Sequence, residues 1–468
     1  MIASLQPYPE YRAAGLPWVD SVPKHWDMTP NRALMQERRG VVGANAKDHT
    51  LLSLTLRGVI ARDMVNPKGK FPAQFNTYKV VEPGDFVFCL FDIDETPRGV
   101  GLSPLEGMIT GAYDVFKPRP ITNPRFLYYY YLFVDDGKLM KPFYTGLRKT
   151  IQRGVFASLK APCPPPAEQA AIVRFLDYAN GRLERAIRAK RKVIALLHEQ
   201  KQAIIHGAVT RGLDPTALLK PSGIAWLGDI PKHWEVRRLR FCIRGKLTYG
   251  ANAAAEFDNP DWPRYLRITD FKGDGSLRPD TFRSLPPSIA QDYLVEDGDI
   301  LFARSGATVG KAFLVRPDTV KACYAGYLIR ARPNTNVVLP TFLFAFTQST
   351  AFARWKDAIF SRATIQNIGA DKYANLAVTI PPIAEQEAIL DSIEKKLVPI
   401  QVASGRIERE IELLREYRTR LVADVVTGKL DVRAAARDLP AGEINAPPEA
   451  QPEDTADEAE LEPEETKA

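Results

Sequence analysis

The 468-residue sequence is poor in cysteine and histidine, with only four of the first and five of the second. Cys89, Cys163, Cys242 and Cys323 lie far apart and in no Cys-x-x-Cys spacing. That excludes a disulfide framework and a cysteine-rich zinc site, and a reducing cytoplasm is the expected location. No histidine stands in a nucleophile or metal arrangement. No apolar run approaches the roughly 20 residues of a membrane span, and no basic-then-apolar leader opens the chain. The greasiest stretches, "RFLYYYYLFV" and "VVLPTFLFAF", are expected to be buried core.

Phosphate- and methyl-donor loops are missing as well. "SGATVGKA" (305–312) has three residues between its glycines and Ala312 after the lysine. A phosphate loop needs four residues there and a Ser or Thr at the end. "NPRF" (123–126) approaches the Asn-Pro-Pro-aromatic signature of amino-methyltransferases, but Arg125 replaces the second proline. No Gly-rich strand-to-helix loop accompanies it. The chain is expected to be non-catalytic, with no catalytic residue, metal site or cofactor site of its own.

What is present is charge, unevenly spread. Hydrophobic content of 45% and charged content of 25% are ordinary for a globular protein, and the net charge is +7. Residues 438–468 hold eleven acidic residues and one lysine, a net of −10, which leaves +17 on the preceding 437 residues. The Pro- and Glu-rich end is expected to be disordered, and the basic remainder suits a polyanionic partner.

The chain also repeats itself. "WVDSVPKHW" (18–26) returns as "WLGDIPKHW" (226–234), and "VEPGDFVF" (81–88) as "VEDGDILF" (295–302). "TIQ" (150–152) returns at 364–366, "PPPAEQAAI" (164–172) as "IPPIAEQEAIL" (380–390), and "ALLHEQ…VTRGLD" (195–214) as "ELLREY…VTGKLD" (412–431). The order is kept and the offset drifts only from 208 to 217, as loop insertions would make it. Two copies of one module follow.

Each copy has a mixed front and a helical back. "GDFVFCLF", "GDILFAR" and "YLRIT" read as strands, and "PRFLYYYYL" and "PTFLFAFTQ" as short helices entered through proline. Past the prolines, Ala-Glu-Gln opens a long helix near Ala167 and again near Ala384. From Ile172 to Ile204, and from Ile389 to Leu421, apolar residues step by alternating four and three, a coiled-coil rhythm interrupted by Lys190, Lys201 and Arg418. The expected fold is α+β: two tandem globules separated by a pair of long antiparallel coiled-coil helices with an internal pseudo-two-fold repeat. The expected boundaries are 1–163 for an N-terminal segment and first globule, 164–210 for the first spacer helix, 211–380 for a connector and second globule, 381–432 for the second spacer helix, and 433–468 for the acidic disordered tail.

The double module, the "IPKHWEVRRL" frame, "RSGATVGK" in the second globule and "PP.AEQ" before each long helix together resemble the DNA-specificity (S) subunit of type I restriction-modification systems. The similarity covers about residues 15–432. It departs in the first globule, where "CLFDIDETPRGVG" (89–101) stands in place of "ARSGATVGK". The resemblance implies that each globule is a target-recognition domain reading one half of a bipartite site in double-stranded DNA. It implies that the helices act as a spacer and dock two methyltransferase subunits, and that motor-endonuclease subunits join them. S-adenosylmethionine, ATP and Mg2+ would then sit on those partners.

Side chains expected to touch DNA are those that reach phosphates or base edges from loops. In the second globule they are Arg304, Ser305, Thr308 and Lys311 after the Gly-Asp strand, and Arg362, Thr364, Gln366 and Asn367 around the repeated Thr-Ile-Gln. In the first, Arg148, Lys149, Gln152 and Arg153 form the corresponding basic loop. Lys68, Lys70, Arg98, Arg264, Arg267 and Lys272 are expected phosphate contacts. Trp18, Trp26, Trp226, Trp234, His25 and His233 are expected to be structural. Two other readings remain: a coiled-coil scaffold whose globules bind proteins, and a self-contained modification enzyme, which the missing methyl-donor loop disfavours.

Overall fold

The computed structural model describes residues 5–63, 75–146, 149–272, 275–306, 309–319, 321–360 and 367–440. Its helices include α1 (Pro124–Asp136), α2 (Pro166–Arg211), α3 (Pro340–Thr347), α4 (Ala370–Ala374), α5 (Ile383–Val426) and α6 (Arg433–Arg437). The chain divides into two compact units, Met1–Lys190 with Arg409–Ala468, and Arg191–Glu408. Strands and helices mix in both, an α+β fold.

In the first unit, β1 (Asp27–Pro30), β2 (Met35–Glu37), β3 (Phe86–Phe88), β4 (Val100–Leu102), β5 (Asp114–Pro118) and β6 (Lys160–Cys163) form the frame. Four of them make an antiparallel sheet in the order β2-β5-β3-β4, and β1 pairs with β6. In the second unit, β7 (Glu235–Arg238), β8 (Thr248–Tyr249), β9 (Ile300–Ala303), β10 (Ala312–Leu314), β11 (Leu328–Ala331) and β12 (Ala377–Ile380) take the same places. The sheet order is β8-β11-β9-β10, and β7 pairs with β12.

The repeated words in the sequence turn out to be joints. In "VEPGD" and "VEDGD", Gly84 and Gly298 adopt positive φ, which glycine takes without strain. The following Asp85 accepts from the Glu82 N–H at 2.9 Å, and Asp299 from the Glu296 N–H at 2.8 Å. Both carboxylates are buried, and each is matched by an arginine, Arg38 and Arg332 respectively. Burial without such partners would be costly. "NPRF" is a helix start: the Asn123 side chain accepts from the Arg125 and Phe126 N–H groups and Pro124 fills the first turn of α1.

The Pro-Lys-His-Trp frame and the Ala-Glu-Gln of the long helices are one joint. In the first unit Trp26 Nε1 donates to Glu168 at 2.8 Å and His25 Nε2 lies 2.9 Å from the same carboxylate. In the second, Trp234 donates to Glu385 at 3.0 Å and His233 lies at 2.8 Å. The neighbouring glutamines tie the helix to the globule: Gln169 accepts from the Asn123 N–H, and Gln386 from the Leu339 N–H just ahead of α3. Both tryptophans are fully buried. A left-handed glycine closes each packing. Gly428, past the end of α5, lies against Pro23 and Trp26, and Gly212, past the end of α2, lies against Trp234.

Every position of the apolar stripes on α2 and α5 is buried or half-buried except Val193, which is 43% exposed. Two of the charged interruptions are ion-paired between the helices inside the first unit, Lys190 with Glu410 and Arg418 with Glu184 at 3.2 Å. Those pairs run antiparallel in register. Pro399 lies inside α5, where it removes a backbone donor.

Two expectations need correction. "YLRIT" is a strand only over Arg264–Leu266, because Asp270 draws in the Arg267 backbone and guanidinium and tightens Ile268–Asp270 into a 3-10 turn. The tail does not begin at 433. Residues 433–437 form α6, Ala436 and Leu439 are buried, and Arg174 on α2 donates to the Leu439 carbonyl. The run "VRAAARDL" carries enough apolar surface to pack, which the acidic composition beyond it obscures. Residues 441–468 lie outside the described residues.

Candidate nucleic-acid interface

In the second unit the end of β9 is held from three sides. The Tyr373 hydroxyl donates to the Ala303 carbonyl at 3.0 Å. The Arg304 N–H donates to the Tyr327 carbonyl, and the Arg304 carbonyl accepts from the Ile368 N–H, both at 2.9 Å. Ser305 pairs with Asn367 in an antiparallel bridge. Residues from two of the repeated loops, expected separately as DNA contacts, therefore meet here: Arg304 and Ser305 beside an exposed Asn367. Lys311 is exposed a few residues on, after the left-handed Gly310.

The Arg304 guanidinium lies over the Tyr249 ring, 5.0 Å from its centre. Tyr249 is itself fixed, its hydroxyl accepting from the Ala370 N–H at 3.0 Å at the start of α4. Among the described residues no carboxylate pairs with Arg304, and its Nε is buried with no partner. Tyr249 and Tyr327 are 43% and 65% exposed beside it. At the other end of α4, Arg238 and Arg240 both donate to the Asn375 side-chain oxygen, at 3.1 and 2.8 Å, and Arg240 stacks on the exposed Phe241. Two guanidiniums converging on a neutral amide leave their charge open to an anion.

Tyr249, Tyr327, Arg238 and Arg240 were missed from sequence. The arginines had a signal, the Arg-Arg-x-Arg run right after the repeated Pro-Lys-His-Trp. Nothing marked the tyrosines, whose exposure depends on where strands end.

The remaining expected contacts in this unit are more engaged. Arg264 donates to the Arg278 carbonyl and lies over Phe282, Arg267 is committed to Asp270, and Lys272 is exposed. Thr308, Arg362, Thr364 and Gln366 lie outside the described residues.

The first unit has the same backbone joint and different chemistry. The Leu90 carbonyl accepts from the Ile151 N–H at 2.8 Å, as Arg304 does from Ile368. The loop that follows carries Asp92, Asp94 and Glu95. Lys149, at positive φ, lies 3.6 Å from Asp94 and 3.5 Å from Glu95, and Lys141 lies 3.3 Å from Asp94. Partial burial opposes the Asp94 charge, but the Tyr144 hydroxyl and the two lysines outweigh it and hold the carboxyl below its usual range. Arg153 pairs with Asp114 at 2.9 Å, and Gln152 is exposed at the start of a short helix. Arg98, expected on the surface, is held by Asp135 and Asp136 of α1 with its side chain 15% exposed. Lys68, Lys70 and Arg148 lie outside the described residues.

Among the described residues no group of three His, Cys, Asp or Glu side chains could hold a metal ion, and no helix is long and apolar enough to cross a membrane.

Residues 231–412 match the family model described as the type I restriction modification DNA specificity domain. That stretch contains β9, Arg304 and the whole site just described. The chain is 22% identical over 210 residues to the EcoKI specificity subunit of Escherichia coli K12, a match covering 43% of this chain and 44% of that one. It is 23% identical over 210 residues to the StySPI specificity subunit of Salmonella potsdam, with the same coverage of each. The matches thus span less than half the length of these relatives. A longer one, 20% identical over 369 residues, is to the EcoDI specificity subunit of Escherichia coli and covers 72% of this chain and 78% of that one. In fold, 87% of the chain superposes on 99% of a chain solved in work on complex assembly and conformational transition of the type I R-M system, with a TM-score of 0.56 at 16% identity. Family model, relatives and fold point the same way as the repeated motifs: this chain is similar to the type I restriction-modification specificity subunits over the stretches just given.

Proposed function

We propose that the chain is the sequence-reading, non-catalytic subunit of a type I restriction-modification assembly. Each globule reads one half of a bipartite site in double-stranded DNA, and the long helices set the unread gap between the halves. The observation that carries this reading is the cluster around Arg304. A fixed guanidinium with no carboxylate partner among the described residues, exposed tyrosines and the open Arg238–Arg240 pair sit inside the stretch that matches a DNA specificity domain. Cations without carboxylate partners suit phosphates and base edges, whereas a protein-binding scaffold has no such need.

The helix pair supplies a surface for a protein partner. A groove of about 550 Å3 in the first unit is lined by Lys190, Glu410, Leu413, Leu414, Tyr417 and Arg420. Leu413 is 57% exposed there. Apolar side chains ringed by charge suit a subunit interface, and methyltransferase subunits are the proposed occupants. Those subunits would bring S-adenosylmethionine, with ATP and Mg2+ arriving on the motor-endonuclease; a cytoplasmic location goes with this role. The test is a DNA shift assay with the chain alone and with its methyltransferase partner across a salt series. Binding that strengthens with the partner and falls steeply with salt is expected. Salt-insensitive binding, or none with the partner present, contradicts the reading.

A further inference from the structure

We propose that Arg304, positioned by Tyr249, reads one guanine in the half-site contacted by the second globule; this rests on the DNA-reading function above. A phosphate contact needs no fixed orientation, and the exposed Arg238 and Arg240 suit that task. Arg304 is built otherwise. Its backbone is bonded on both sides, to Tyr327 and Ile368, and its neighbour Ser305 is bridged to Asn367. Its guanidinium carbon lies over a ring, 5.0 Å from the centre, that is held in turn by the Ala370 N–H. Among the described residues its Nε is buried without a partner, which leaves the terminal nitrogens to meet a ligand.

A fixed planar fork bearing only donors selects its target by chemistry. Guanine presents two adjacent acceptors, O6 and N7, in the major groove. Adenine pairs one acceptor with a donor, thymine has one acceptor beside a methyl group, and cytosine has a donor. Among the base edges, only guanine satisfies both arms of the fork. Tyr249 acts through Arg304: it sets the plane of the guanidinium and removes freedom that binding would otherwise have to freeze. Among the described residues the first unit has no counterpart, since Leu90 stands at the equivalent backbone position. The preference therefore belongs to one half-site.

The test is enrichment of bound DNA from a random pool by the full chain in complex with its methyltransferase partner. Wild type is expected to enrich a bipartite motif with at least one G·C pair required in one half. Arg304→Lys keeps the charge and loses the fork. It is expected to keep the motif except at that pair, where discrimination falls roughly 5- to 150-fold, the worth of one bidentate contact. Arg304→Ala should relax the same pair. Tyr249→Ala should relax it partly and no other, and Tyr249→Phe, which keeps the ring but loses the bond from the Ala370 N–H, should relax it less than Tyr249→Ala. Thermal midpoints measured alongside identify any variant that has not folded, and Arg304→Lys then carries the test alone. An unchanged motif with weaker binding to every sequence makes Arg304 a phosphate contact and overturns the inference. Relaxation spread over both half-sites overturns it too. A wild-type complex that enriches no motif overturns the DNA-reading function itself.

Discussion

The ends of β3 and β9 are the same joint carrying opposite chemistry. Leu90 and Arg304 each accept one backbone hydrogen bond from a loop about sixty residues further on, from Ile151 and Ile368. Beyond that bond the first unit places Asp92, Asp94 and Glu95, the last two beside Lys141 and Lys149. The second places an arginine with no carboxylate partner among the described residues and two exposed tyrosines. The repeated residues fix backbone and packing, and the residues between them vary the surface without disturbing it. Two globules built this way offer different donors and acceptors to DNA. Where the second is proposed to favour an acceptor-rich edge, the carboxylates of the first are suited, on the same reading, to accept from a cytosine amino group.

The largest expected effect concerns the helices that join the two copies. Inserting seven residues into both α2 and α5 keeps the seam, because the apolar stripe repeats every seven. It adds roughly 10 Å of helix, and at about 3.4 Å per base pair the unread gap should grow by around three pairs with both half-sequences unchanged. Inserting two residues should turn the seam out of register and abolish folding or partner docking. Methylation mapping distinguishes these outcomes, and an active heptad variant with an unaltered gap removes the helices as the ruler.

Next in size are the two glutamates of the Trp–His joint. Glu168, 5% exposed, serves Trp26, His25 and Tyr8, and burial together with Glu168 pushes the Tyr8 phenol well above its ordinary range, so it remains the donor. Among the described residues Glu385, 29% exposed, serves Trp234 and His233 alone and can share the load with water. Replacing either by alanine leaves a buried indole N–H unpaired. Glu168→Ala should cost about 3 kcal/mol and Glu385→Ala about 1 kcal/mol in denaturant unfolding. Equal losses would show that the two joints are equivalent despite their different burial.

Arg240→Ala should weaken binding to all sequences alike and lower the salt slope by about one, without changing the motif. A changed motif would make it a base contact. Smallest is the inter-helix pair Arg418–Glu184, half-exposed on both sides. A double-mutant cycle should return about 0.5 kcal/mol, and a value several times larger would make it a register lock rather than a surface pair.

Periodic features were legible in the sequence because they are local. The stripes predicted long helices near Ala167 and Ala384, and helices run Pro166–Arg211 and Ile383–Val426. Gly-Asp announced the turns before β3 and β9. What the repeated Pro-Lys-His-Trp was for could not be seen, since its partner Glu168 lies 142 residues beyond Trp26. The same distance problem misplaced Arg98, whose carboxylates Asp135 and Asp136 sit on a helix 37 and 38 residues away. A basic residue looks open in sequence until the fold supplies its counter-charge. Arg304 is the converse: its loop was visible, but the ring that orients it, on β8, was not.

The central claim is that this chain chooses the DNA sequence. Its most direct test is a methylation map of the host genome with the gene intact and with it deleted. The account predicts a bipartite motif of two specific halves and one fixed gap, methylated when the chain is present and unmethylated when it is absent. The same motif methylated in both strains, or a modified sequence without two separated halves, would contradict it.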